Sequence, residues 1–127
     1  GFGFCTIAFV QDAALFALNR GMAFEEEIAA PFRRRRDVAR DVLGASNLLR
    51  LIPADGAMYV MFDVRATGLS GNDFALRLLE EERIAVMPGE SFGAASAGHI
   101  RVAMTVADDA FSEALSRLGV FAERVAR

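Results

Sequence analysis

No lysine occurs in the 127 residues; all fourteen basic side chains are arginine. A chain without a side-chain amine cannot by itself hold a carbonyl compound as a Schiff base at an internal residue. Cysteine is nearly absent as well. Cys5 stands alone, which excludes an internal disulfide and makes a reducing compartment, the cytoplasm, the expectation. One cysteine and one histidine, His99, cannot build a zinc cluster, so no metal ligand is expected. Long apolar runs are missing. The longest, about ten residues through Gly1–Val10, falls short of the roughly 20 a membrane helix needs and lacks the basic start of a signal peptide. A basic excess is missing too: the net charge is −3, which gives no electrostatic reason to expect nucleic acid. The opening residue is Gly1, within an apolar stretch, and is read as the edge of a longer or processed chain.

What is present is enough for one packed domain. Hydrophobic residues make up 54% and charged residues 24%, so long disorder is not expected. Phe9–Asn19 is rich in Ala and Leu and predicts a short helix broken by Gly21. Phe24–Leu43 predicts a longer one, with Phe24, Ile28, Phe32, Ala39 and Val42 near a 3.6 period and Glu25–Glu27 at its positive end. Pro31 lies inside it and is expected to kink it or shift its start; Gly44 stops it. Pro53–Gly56 is a turn, and Ala57–Val64 is apolar on both faces, which predicts a buried strand. Ser70 caps a helix reaching about Glu82, with Phe74, Ala75, Leu78 and Leu79 inward. Ile84–Met87 reads as a strand, Glu90–Gly98 as a loop and His99–Thr105 as an alternating strand. A last helix from about Asp108 buries Phe111, Ala114, Leu115, Leu118 and Ala122. The fold expected is α+β: helices packed on one face of a short three-stranded sheet.

Few residues stand out as chemistry. In His99–Thr105, Ile100, Val102 and Met104 share one face, which puts Arg101 and Ala103 with His99 on the other. A planar guanidinium there suits a carboxylate, though an arginine on a strand is also commonly structural. Arg33–Arg36 lies within an amphipathic helix of an acidic chain and reads as a solvated, ion-paired face. His99 reads as a packing residue and Cys5 as a small hydrophobe. Gly1–Gly3 lacks the third glycine of a dinucleotide loop. The eleven phenylalanines read mostly as packing at core-facing helix positions, with one or two at an interface to a further part of the protein.

Three stretches in this order, Pro53–Val64 (PADGAMYVMFDV), Phe74–Gly93 (FALRLLEEERIAVMPGESFG) and Gly98–Thr105 (GHIRVAMT), together resemble the class I/II aminotransferases of the pyridoxal-phosphate fold-type I superfamily. The resemblance covers nearly the whole chain. It implies residues 1–20 from the end of a large cofactor domain and residues 21–127 as the C-terminal small domain. It implies an enzyme that moves an amino group between an amino acid and a 2-oxo acid, as a homodimer when full length. By the same resemblance Arg101 binds the substrate α-carboxylate, and Ser91 and Phe92 sit near the substrate side chain.

The cofactor's lysine, phosphate-binding residues and pyridine-nitrogen acid have no match here. Pyridoxal 5′-phosphate is therefore expected in the full-length enzyme and not bound to this fragment, which should be inactive alone and contributes no catalytic or cofactor-binding residue. The alternative is a ligand-sensing aminotransferase-like domain of a transcription regulator, or a free-standing small-molecule-binding module.

Overall fold

The structure is a computed structural model and describes residues 6–126. The readings of Cys5 and of Gly1–Gly3 lie outside the described residues. The chain divides into two units, Gly1–Pro31 and Phe32–Arg127.

In the first unit, helix α1 runs Ala8–Asn19 and buries none of its residues. Gly21, at φ +73°, ends the segment in a backbone region that costs a glycine nothing. Arg20 lies over the Phe16 and Phe24 rings, at 5.9 and 5.1 Å. Helix α2 begins at Met22, nine residues before Pro31, so the proline does not set its start; it runs to Leu43. Phe9 and Phe16 are exposed, while Phe62, Phe74, Phe111 and Phe121 are buried.

The second unit carries a four-stranded antiparallel sheet, in the order β1-β2-β4-β3. The strands are β1 (Arg50–Ile52), β2 (Tyr59–Asp63), β3 (Met87–Pro88) and β4 (His99–Ala103). Helices α3 (Gly71–Glu82) and α4 (Asp108–Val125) complete it. Val60, Phe62 and Ile100 point from the sheet into a core shared with Ala39 and Leu43 of α2, Phe74 and Leu78 of α3, and Phe111, Leu115 and Phe121 of α4. The Phe74 and Phe121 rings meet edge to face, 5.1 Å apart. The α+β class with helices on one sheet face is what the sequence predicts.

The details differ in three places. The sheet has four strands rather than three, because β1 is only three residues long and too short to show a period of two. The second predicted strand, Ile84–Met87, is reduced to Met87–Pro88. Pro88 has no N–H and is tolerated here because β3 lies at the sheet edge. Leu79 is 45% exposed: the buried stripe of α3 is Gly71, Phe74, Ala75 and Leu78, and Leu79 falls beside it.

The α3 start is doubly held. Ser70 Oγ accepts from Asp73 N at 3.0 Å and donates to Asp73 Oδ2 at 2.7 Å. The four arginines at 33–36 do more than decorate a surface. Arg34 and Arg35 both reach Asp108 at the start of α4, and Arg35 also donates to the Met104 carbonyl at 2.8 Å.

Candidate functional site

Strand alternation gives the sheet a second face. Opposite the core side stand Tyr59, Met61 and Asp63 of β2 and His99, Arg101 and Ala103 of β4. Arg101 occupies the middle of this face, paired across β4–β2 with Met61 and across β4–β3 with Met87. Its guanidinium carbon lies 4.2 Å from the centroid of the Tyr59 ring and 4.2 Å from that of Phe92. Contacts of this kind favour the cation through the ring quadrupole and fix the plane of the fork. Tyr59 comes from the diagonal position on β2, and Phe92 from the last residue of a 3-10 turn, Gly89–Phe92, just after β3.

No carboxylate among the described residues pairs with Arg101. The nearest acid along the same face of β2 is Asp63, and it is fully occupied. It accepts from Arg50 at 2.9 Å, from Arg65 Nε and Nη2 at 2.9 and 2.7 Å, and from the Arg65 backbone N–H at 3.0 Å. The Arg65 side chain, more than any other contact, holds the Asp63 carboxyl far below the usual aspartate range, against the opposing effect of its own burial.

Glu90, in the turn that carries Phe92, is likewise occupied. Its Oε1 accepts from Gly71 N at 2.9 Å and Gly98 N at 3.0 Å, while Oε2 is shielded from solvent with no partner. The Gly98 N–H is the main reason its carboxyl stays below the ordinary glutamate value, with burial again acting in the other direction.

Of the residues singled out from sequence, Arg101 and Phe92 meet directly. Ser91 lies in the same turn, exposed, and its hydroxyl has no hydrogen-bond partner among the described residues. His99 shares the face but turns its Nδ1 to the Ala97 carbonyl, 2.9 Å away. Sequence reasoning missed Tyr59 and Glu90. Tyr59 is the chain's only tyrosine and stands on the same strand parity as Met61 and Asp63, a signal available once β2 and β4 are paired. Nothing local marks Glu90, whose partners lie 19 and eight residues away.

Fold and face together define an α+β domain that presents an arginine without a counter-ion on the open side of its sheet. The known proteins that this chain is similar to are aminotransferases. The arginine–pyruvate transaminase of Pseudomonas aeruginosa is 41% identical over 114 residues, 90% of this chain and 29% of that protein. The aromatic aminotransferase from Pyrococcus horikoshii OT3 superposes with a TM-score of 0.80 at 32% identity, over 97% of this chain and 34% of that one. The aspartate aminotransferase from Thermus thermophilus with maleate gives a TM-score of 0.68 at 33% identity, over 78% and 25%. The family model for aminotransferase class I and II matches residues 3–118, and the chain belongs to that family. It spans between a quarter and about a third of the length of these relatives. Among the described residues no helix is long and apolar enough to cross a membrane.

The family's cofactor, pyridoxal phosphate, does not fit the residues present. Its aldehyde needs an amine, and the chain has no lysine. The Arg101 guanidinium is flanked by two aromatic rings and two methionines.

Proposed function

We propose that this chain is the substrate-clamping part of an aminotransferase that moves an amino group between an amino acid and a 2-oxo acid, with Arg101 binding the α-carboxylate. The observation that carries the reading is the half-buried Arg101 guanidinium, stacked on Tyr59 and Phe92, with no acid among the described residues to neutralise it. Such a group favours an anionic ligand, and its flat two-donor fork matches a carboxylate. The relatives support this choice of ligand. Their names differ in the amino acid, arginine, aromatic or aspartate, and all such substrates share the α-carboxylate. Phe92 and Ser91, in the turn beside the arginine, border the substrate side chain.

Residues outside this chain hold the cofactor, which supplies an electron sink for the bonds at the α-carbon. Residues 1–20 belong to the cofactor domain and 21–127 to the small domain. The exposed apolar residues of α1, Phe9, Leu15 and Phe16 among them, support a role in packing against the rest of the protein. The full-length enzyme is a cytoplasmic homodimer, and this chain alone is inactive.

Arg101→Ala in the full-length protein tests the reading. Truncating one partner of a buried charged contact costs about 2–5 kcal/mol, so kcat/KM should fall roughly 30- to several-thousand-fold with bound cofactor unchanged by absorbance. Arg101→Lys should recover only part, since a point charge lacks the fork. Near wild-type kcat/KM in Arg101→Ala would make Arg101 structural.

A further inference from the structure

We propose that Glu90 is a positioning residue. Its carboxylate latches the Gly89–Phe92 turn to the start of α3 and to the residue before β4, and so holds the Phe92 ring over the Arg101 guanidinium. The proposal rests on the carboxylate reading of Arg101.

The latch is visible in its bonds. One oxygen, Oε1, gathers the N–H of Gly71, the first residue of α3, and the N–H of Gly98, one residue before β4. Phe92 follows Glu90 by two residues, and Arg101 follows Gly98 by three. A single carboxylate therefore ties together the segments that carry both members of the stack. The segments are also built to approach closely. At Gly71 a methyl group would overlap Glu90 Oε2 and the His99 carbonyl, and at Gly89 it would overlap the Ser96 carbonyl.

Helix capping alone does not account for Glu90. Ser70 already caps α3 through the Asp73 N–H, and capping requires no bond to Gly98. The unpartnered, shielded Oε2 is an expense a surface glutamate escapes by turning to water. The latch also keeps the one acid of this turn occupied by backbone amides rather than by the arginine.

The test uses Glu90→Ala, Glu90→Gln, Arg101→Ala and the double variant Glu90→Ala/Arg101→Ala of the full-length protein. Maleate, a dicarboxylate, is titrated calorimetrically, and amide hydrogen exchange is followed over residues 89–98. Glu90→Ala should weaken maleate binding about tenfold, the scale on which a misplaced binding group and a lost ring contact act, and should speed exchange. Glu90→Gln keeps an acceptor oxygen and should weaken binding less, so it carries the test if the alanine variant does not fold. In the double variant Glu90→Ala should add nothing to Arg101→Ala. Unchanged maleate affinity in a folded Glu90 variant whose melting temperature alone falls would overturn the proposal, as would additive losses in the double variant. The carboxylate reading fails separately, through unchanged maleate affinity in Arg101→Ala, while exchange still reports on the latch.

Discussion

At one end of the sheet's open face, Arg50 and Arg65 share the Asp63 carboxylate, which is 8% exposed and accepts four hydrogen bonds. Two residues along β2, at Met61, the facing residue is Arg101, and here the surroundings are two aromatic rings and two methionines. The same side chain thus serves two ends. With an acid, arginine closes a turn and joins β1 to β2. With aromatic rings and no acid, it keeps its charge for the carboxylate ligand proposed above. The difference lies in which acids are already occupied: Asp63 is saturated by its own arginines and Glu90 by backbone amides, so neither neutralises Arg101.

The largest test after removal of Arg101 itself is to abolish the difference by giving Arg101 an acid. Met87 lies on edge strand β3 directly across from Arg101 and is 44% exposed, so glutamate fits without disturbing the core. A charge-assisted bond of about 1.5 kcal/mol between Glu at this position and Arg101 should raise the dissociation constant of a carboxylate ligand roughly tenfold in Met87→Glu. Met87→Gln, which adds bulk without charge, should change it much less. Equal effects of the two variants would mean that bulk, not competition for the guanidinium, weakens binding.

The opposite end is tested through stability. Asp63→Asn keeps shape and removes charge, leaving Arg50 and Arg65 without a counter-ion. Both arginines are exposed and solvated in the variant, so the loss at neutral pH should be about 1 kcal/mol, well below that of a fully buried pair. The sign of the pH dependence follows from the depressed Asp63 carboxyl. Its contribution is present above the unfolded aspartate value of about 3.9 and is lost as the pH falls further toward the folded value. Thermal unfolding of wild type and Asp63→Asn should therefore differ at pH 7 and converge below about pH 4. A constant difference across that range would show that Asp63 acts through hydrogen bonding alone.

How much of this was legible in the sequence depends on the range of each interaction. The alternation of His99–Thr105 placed Arg101 on the open face without any partner strand, and the stripes of α3 and α4 set the core side, Leu79 excepted. Three-residue β1 and two-residue β3 carry no period and became visible only by pairing. Resemblance to the family named Phe92 and Arg101 together. Tyr59 escaped because its contact is diagonal across two strands 40 residues apart in the chain, and Glu90 because both its bonds are to backbone groups, whose positions no side-chain pattern encodes. The link from Arg34 and Arg35 to Asp108 escaped for the same reason of distance: it spans more than 70 residues.

The smallest effect belongs to Tyr59, and it separates the two contributions that ring makes. The guanidinium lies over its face, so what matters for Arg101 is the π surface rather than the hydroxyl. Phenylalanine preserves that surface. Tyr59→Phe should leave carboxylate affinity within about twofold, since a cation–π contact at a partly exposed site is worth roughly 0.5–1 kcal/mol and most of it is retained. Tyr59→Ala removes the face and frees rotamers of the arginine, so affinity should drop about two- to fivefold, appearing in KM before kcat because the contact exists equally before and during reaction. Tyr59→Leu sharpens the distinction. It restores apolar contact without a quadrupole, and it should resemble alanine in ligand affinity while matching wild type in melting temperature. Should leucine instead restore affinity, the aromatic rings beside Arg101 act as packing alone. The contrast with the Asp63 end would then rest only on the missing acid.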